Sequence, residues 1–145
     1  MHARVPGSAE GDLNGAEEAD GSPSASYVSE FYRELLGLRY RPGDEPGSSA
    51  TDDPPGWLAL VDGDDKRMLA FQKVERLERT TWPSPDVPMQ LHIDFTVTDL
   101  AELCRHRERA EALGAELLLD RSDDAEEPLF VLADPSGHPF CIFVA

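Results

Sequence analysis

The chain has 145 residues, of which 13 are Lys or Arg and 29 are Asp or Glu, so its formal net charge is −16. A surface this negative argues against nucleic acid or an anionic membrane as a partner and favours a cationic one, although it also serves solubility. The length suits one domain with its own core. No apolar run is long enough to span a bilayer, and Cys104 and Cys141 suggest no disulfide framework, so we expect a reduced, cytoplasmic protein.

The N-terminal part of the chain differs in composition from the rest. Residues 1–21 are small, acidic and rich in Gly and Ser, which is typical of a disordered segment, and we expect the folded domain to cover 22–145. Ser22 and Pro23 suit the N-cap and the first position of a helix. Its apolar stripe consists of Tyr27, Val28, Phe31, Leu35 and Leu36 and is followed by Gly37. The segments LGLRY, GWLALVDG and KRMLAFQKV are then predicted to be strands.

The second half begins with the strand QLHIDFTV. Alternation sends Leu91, Ile93, Phe95 and Val97 to a core face, and His92, Asp94 and Thr96 to the opposite face. Asp99 and Glu102 form a D-x-x-E capping signature for the next helix. That helix ends at Gly114, and we expect His106 on its polar face. Its apolar side carries Leu100, Leu103, Cys104, Ala110 and Leu113. The remaining predicted strands are AELLLDR, PLFVLADP and HPFCIFVA. We expect His138 in the turn that precedes the last of these strands.

The two halves repeat the same order of elements. Leu36-Gly37 lies 77 residues before Leu113-Gly114, and WLALVDGDDKRMLAFQ corresponds to LFVLADPSGHPFCIF. Order and spacing predict a duplicated βαβββ module, with module one over 22–80 and module two over 89–145. We therefore expect an α+β fold in which two modules form a curved, cup-shaped mixed sheet. The first strand of module one is atypical or missing: either the module lacks it, or a partner chain or the short HARV segment supplies something in its place.

Several segments resemble glyoxalase-like proteins of the vicinal oxygen chelate superfamily: SEFYRELLG, LAFQKV, TWPSPDVPMQLHIDF and VLADPSGHPFCIF. The resemblance covers about residues 22–145. The superfamily includes glyoxalase I, extradiol dioxygenases, fosfomycin-modifying enzymes and bleomycin-binding resistance proteins. The resemblance implies paired βαβββ modules, a cup-shaped site and a homodimer.

In the metal-using members of this superfamily, the first and fourth strands of each module supply the metal ligands. His92 matches the first strand of module two, Cys141 stands where the fourth strand usually has a glutamate, and Gln72 matches the fourth strand of module one. The remaining position falls near Gly15, where there is no histidine. These positions offer no carboxylate to neutralise a divalent cation, and Asp94, one pleat away on the same face, is expected at a poor angle to such an ion. We expect no metal cofactor; the alternative is a divalent ion such as Zn, Mn or Fe held by His92 and Gln72.

Three functions remain open from the sequence. The leading one is a metal-independent small-molecule-binding protein of the glyoxalase and bleomycin-resistance type. Its ligand pocket would be lined by His92, Asp94, Gln72 and Cys141, with Trp82 at the lip. The acidic charge and the supply of aromatic side chains favour a cationic or aromatic ligand. The alternatives are a metal-dependent lyase or dioxygenase, and a catalytically silent dimeric interaction module. An interior histidine bonded to Asp94 is the structural alternative for His92, and no catalytic residue is assigned.

Overall fold

The computed structural model describes residues 2–4, 25–47 and 56–145, and within them the protein has a mixed α+β fold with two sheets. The elements are β1 (His2–Arg4), α1 (Ala25–Leu36), β2 (Arg39–Tyr40), β3 (Trp57–Val61), β4 (Arg67–Gln72), β5 (Ile93–Val97), α2 (Leu100–Ala112), β6 (Glu116–Arg121), β7 (Leu129–Ala133) and β8 (Pro139–Val144). Two compact units result, one from Met1–Pro6 with Glu78–Ala145 and the other from Gly7–Leu77. Neither described helix is long and apolar enough to cross a membrane.

The unit that ends at Ala145 contains the predicted module two. Its sheet has the strand order β1-β5-β8-β7-β6, in which β8 lies parallel to β5 and antiparallel to β7, and β7 lies antiparallel to β6. Parallel neighbours cannot be joined by a tight turn, so α2, β6 and β7 form the long connection between β5 and β8. The predicted βαβββ order of this module is confirmed.

One face of this sheet forms the core with α2. Ile93, Phe95 and Val97 alternate into it as predicted and are nearly inaccessible to solvent. The rings of Phe95 and Phe140 meet edge to face, with their centroids 5.8 Å apart. Burying each such aromatic side chain contributes about 2–3 kcal/mol, so this contact is a main stabilising element of the parallel pair. Leu91 was expected on the same face but is 44% exposed, because the regular strand begins only at Ile93.

Helix α2 begins and ends where local sequence signals place its boundaries. Asp99 has an extended backbone, and its carboxylate accepts a 2.9 Å hydrogen bond from the Glu102 backbone N–H, as expected of an N-cap. At the other end, Gly114 has a φ of 102°, a left-handed conformation that glycine adopts without steric cost. Both predicted boundaries are confirmed.

The side of α2 that faces the sheet differs from the prediction. Leu103, His106 and Ala110 are completely buried, whereas Leu100 and Cys104 are exposed. The predicted polar position of His106 is therefore wrong. The spacing of three and then four residues places it between Leu103 and Ala110 on one helical stripe, whatever the polarity of its side chain.

The other unit contains the described part of module one. Its sheet has the order β2-β3-β4 with antiparallel neighbours, and α1 packs against β3 and β4. The predicted stripe of α1 is buried at Val28, Phe31, Leu35 and Leu36, and Tyr32 is buried beside it. The predicted helix start at Ser22 and Pro23 lies outside the described residues, as does most of the segment 1–21. The boundaries at residues 21, 80 and 89 stay predictions.

The expectation of an atypical first strand in module one is confirmed. In module two the first strand lies beside the fourth, but the described part of the three-stranded sheet has no strand beside β4. The HARV segment instead supplies β1, which joins the other sheet. β1 runs parallel to β5, with His2 opposite Asp94 and Arg4 opposite Thr96.

The β7–β8 turn is organised around the buried side chain of Asp134. Its carboxylate accepts hydrogen bonds from the backbone N–H groups of Ser136 and His138, at 2.9 and 3.0 Å. The His138 Nδ1 also lies 3.3 Å from the Asp134 Oδ2. This bond to Asp134 raises the pKa of His138 above its usual value. The predicted turn role of His138 agrees with this geometry.

The pKa values of His106 in α2 and of His138 in the β7–β8 turn are shifted in opposite directions. Burial lowers the pKa of His106, and the positive charges of Arg105 and Arg109 lower it further, partly offset by Glu102. A neutral, buried imidazole is therefore favoured at this position in the folded state.

We expect Asp99→Ala to lower the free energy of unfolding by about 1 kcal/mol, because the first turn of α2 loses the acceptor for its Glu102 N–H. Urea denaturation at neutral pH measures this. Asp123→Ala removes an exposed carboxylate from the β6–β7 connection and serves as the control, with an expected change within about 0.5 kcal/mol. Equal losses of unfolding free energy in the two variants would show that the Asp99 cap does not contribute to stability.

We expect His106 and His138 to give stability opposite dependences on pH. The folded pKa of His106 is lowered, so its contribution is present above the usual histidine pKa of about 6.5 and is lost on acidification. The folded pKa of His138 is raised, so its contribution is present at low pH and is lost as the pH rises through that folded value. Urea denaturation from about pH 8 to about pH 5 tests both. On acidification, the free energy of unfolding of the wild type should fall relative to that of His106→Leu. It should rise relative to that of His138→Gln. Changes in the same direction in both comparisons would contradict this assignment.

Candidate functional site

The face of the module-two sheet opposite α2 carries the candidate site. Asp94 and Thr96 alternate with the buried residues of β5 and therefore point to this face. The parallel register of β5 and β8 pairs Asp94 with Cys141 and Thr96 with Phe143. Side chains that occupy paired positions in neighbouring strands lie on the same face of the sheet. Backbone pairing thus places Cys141 beside Asp94.

His92, Asp94 and Cys141 form a compact group, here called the His92–Asp94–Cys141 cluster. Each offers one possible ligand atom, and these atoms all lie within 4.8 Å of one another. The His92 Nε2 is 3.1 Å from the Asp94 Oδ1, and both side chains are about one-third exposed. The His92 Nδ1 is buried and has no hydrogen-bond partner among the described residues.

The poor angle of Asp94 to an ion held by His92 stays a prediction, but the Asp94 carboxylate does contact the imidazole of His92. His92 precedes the regular strand, and positions two residues apart in extended chain lie on one face at a Cα separation of about 6.6–6.8 Å. The imidazole spans part of that separation and reaches the carboxylate. A negative charge therefore lies beside the histidine, which the superfamily-matched positions alone do not provide.

The thiol of Cys141 is in an unfavourable environment for ionisation. Burial raises its pKa to about 11, and the negative charges of Asp94 and Glu127 contribute to the same shift. A cysteine nucleophile needs a lowered pKa, so this environment does not activate the thiol. The carboxylates of Asp94 and Glu127 thus add negative charge near the thiol, although burial is the larger cause of the raised pKa.

Apolar residues adjoin the cluster on the same face. β7 pairs Val131 with Cys141 and Leu129 with Phe143. Val131 and Leu129 are buried, and Phe143 is half-buried. The face therefore changes from polar at β5 to apolar at β7. Sequence reasoning missed these apolar residues, because their relation to Cys141 comes from strand register and not from any local pattern.

The other two predicted pocket residues lie elsewhere in the chain. Gln72 is the last residue of β4 in the other compact unit, where it is exposed and paired with Trp57. Trp82 lies in the segment before β5, half-buried, and its backbone N–H donates a 3.2 Å hydrogen bond to the Thr80 Oγ1. The roles of Gln72 and Trp82 in a ligand site stay predictions.

Several solved structures have the same fold as this chain. One is a glyoxalase/bleomycin resistance protein/dioxygenase family enzyme from Burkholderia phytofirmans PsJN, with a TM-score of 0.58, 15% identity and coverage of 99% of this chain and 95% of that one. The fosfomycin resistance protein FosX from Mesorhizobium loti gives a TM-score of 0.53 at 18% identity, over 100% and 88%. A lactoylglutathione lyase from Agrobacterium tumefaciens gives 0.52 at 19% identity, over 100% and 92%. At these identities the likeness establishes the fold alone.

The sequence itself is assigned by a family model. No curated protein has a significant match to it. The model described as "Glyoxalase-like domain", however, matches residues 19–143, which is most of the chain. This agrees with the superfamily resemblance of the sequence segments. The chain belongs to the glyoxalase-like domain family of the vicinal oxygen chelate superfamily.

Proposed function

We propose that this protein binds a small organic molecule at the His92–Asp94–Cys141 cluster, and that binding requires no metal ion. The observation that carries the proposal is the half-buried His92–Asp94 pair, with its 3.1 Å separation, beside an apolar strip of the same sheet face. Small-molecule sites typically combine a few polar groups that orient the ligand with apolar walls that bury it.

The charges around the cluster favour a cationic ligand. Asp94 and Glu127 both make the potential at Cys141 negative. The formal net charge of −16 adds long-range attraction for cations. A protonated amine or a quaternary ammonium group would lie against Asp94, and its apolar or aromatic body would cover the half-buried Phe143.

Metal independence is supported by the chemistry of the superfamily-matched positions. Cys141 stands where metal-using members usually have a glutamate on the fourth strand. The position near Gly15, which would supply the ligand of the first strand of module one, has no histidine in the sequence. His92 and Gln72 are then the remaining members of that set, and neither supplies negative charge.

The resemblance also implies an assembly. We propose that the protein acts as a cytoplasmic homodimer, as is common for this superfamily. Light scattering coupled to size-exclusion chromatography measures the mass in solution, for which 16.0 kDa is the monomer value.

We expect cationic aromatic probes to bind the protein after chelator treatment and dialysis. Suitable probes are 2-phenylethylamine and benzyltrimethylammonium, with 2-phenylethanol as the uncharged counterpart. Titration calorimetry should give binding for at least one cation and weaker or no binding for the alcohol. Asp94→Asn should weaken the binding of 2-phenylethylamine about 10- to 100-fold, because its ammonium group loses a hydrogen bond to a charged acceptor, which contributes about 1.5–3 kcal/mol.

Asp123→Asn removes the same charge from an exposed position and should leave the affinity unchanged. Equal weakening in Asp94→Asn and Asp123→Asn would assign binding to net charge and not to the cluster. Failure of both cations to bind at millimolar concentration would contradict the proposed ligand class. Binding that appears only after a divalent metal is restored would favour the metal-dependent lyase or dioxygenase instead.

A further inference from the structure

We propose that the ligand of the His92–Asp94–Cys141 cluster is a linear dication, a diamine or a polyamine, whose second cationic end binds Glu127. The inference rests on the proposed function and deepens it, because a second carboxylate in the site fixes both the charge and the length of the ligand. Asp94 would bind one ammonium group, and the apolar spacer would lie along β8 between the two carboxylates.

The backbone around Glu127 is held in register with β8. The Pro128 carbonyl oxygen accepts a 3.1 Å hydrogen bond from the Val144 N–H, so the pairing of β7 with β8 continues beyond Leu129. The Glu127 N–H itself donates a 3.0 Å hydrogen bond to the Asp124 Oδ1. Alternation along the chain then places Glu127 on the same face of the sheet as Leu129, which is the face of the cluster.

Two other side chains on this face respond to the charge of Glu127. Burial raises the pKa of Cys141 to about 11, and the charges of Asp94 and Glu127 add to that shift. The hydrogen bond to Asp124 raises the pKa of Arg121, which strand pairing places on this face of β6, and Glu127 contributes to that shift as well. Arg121 already forms a 2.5 Å ion pair with Asp124. The exposed Glu127 carboxylate forms no ion pair or hydrogen bond with the described residues and can bind a ligand.

The positions of the two carboxylates set the length of the ligand. Asp94 is level with Cys141 of β8, and Glu127 is level with Ala145, four residues farther along. Two strand spacings across the sheet and four residues along it place the Cα atoms of Asp94 and Glu127 about 16 Å apart. The nine bonds between the nitrogens of 1,8-diaminooctane correspond to three residues of extended chain and span about 10–11 Å. With a charged hydrogen bond of about 2.8 Å at each end, this diamine bridges the two carboxylates.

The surface between the carboxylates suits an apolar spacer. Cys141 and Phe143 alternate on this face of β8, which lies between β5 and β7, and both side chains are half-buried. A protonated thiol behaves as a small apolar group, as does the phenyl ring. A dication that follows this strip gains its second ionic contact without a second loss of translational freedom, which a monocation cannot do.

Titration calorimetry of the chelator-treated protein at low salt tests the inference with octylamine and 1,8-diaminooctane. We expect the diamine to bind about tenfold more tightly than the monoamine. About twofold comes from its two equivalent ends, and about fivefold from an exposed ion pair with Glu127, which corresponds to about 1 kcal/mol. The shorter 1,4-diaminobutane cannot bridge the carboxylates and should exceed butylamine by only about twofold.

Glu127→Gln should reduce the preference for 1,8-diaminooctane over octylamine from about tenfold to about twofold. Glu126→Gln is the matched control, because it removes the same charge from the neighbouring exposed residue, whose N–H also donates to the Asp124 Oδ1. This control should retain the full preference. Circular dichroism of each variant establishes that it is folded.

Binding of octylamine without a preference for the diamine beyond about twofold would overturn the inference and leave the proposed function intact. An equal loss of the preference in Glu127→Gln and Glu126→Gln would also overturn it, because the preference would then follow net charge. Failure of both amines to bind at millimolar concentration would contradict the proposed function and the inference together.

Discussion

The parallel pairing of β5 with β8 is the constraint on which the rest of module two depends. The two strands are separated in sequence by α2, β6 and β7, so their pairing closes a long loop, and the resulting loss of chain entropy must be offset by burial along the pair. Phe95 and Phe140 supply much of that burial on one face. On the other face the same register places Asp94 beside Cys141. A shift of one residue would exchange the faces and lose both the core and the cluster.

The parts of this fold that could be predicted from sequence are those set by local chemistry. The alternation at Ile93, Phe95 and Val97 identifies a strand, and Asp99 with Gly114 marks the ends of a helix, because each signal acts within one element. The proximity of Cys141 to Asp94 depends on which strands pair and in which register. The sequence contains the donors, but no local pattern brings them together.

His106 shows a different limit of sequence-based prediction. Its polarity suggested the solvent-facing side of α2, yet its spacing from Leu103 and Ala110 places it on the apolar stripe. Periodicity outweighs residue type at this position, since a neutral imidazole is buried at a lower cost than any charged side chain of the same helix. Spacing considered alone would have identified the position.

The absence of a described strand beside β4 bears on the chemistry as well as on the fold. The superfamily pattern distributes its ligands over both modules, whereas the donors that the described residues gather at the cluster all belong to module two. These three donors include a thiol, so they differ from the all-oxygen sites that Mg²⁺ and Ca²⁺ prefer. An organic cation, as proposed above, needs only one carboxylate and an adjoining apolar surface. The replacement of the usual glutamate by Cys141 agrees with that ligand class, because a protonated thiol is apolar.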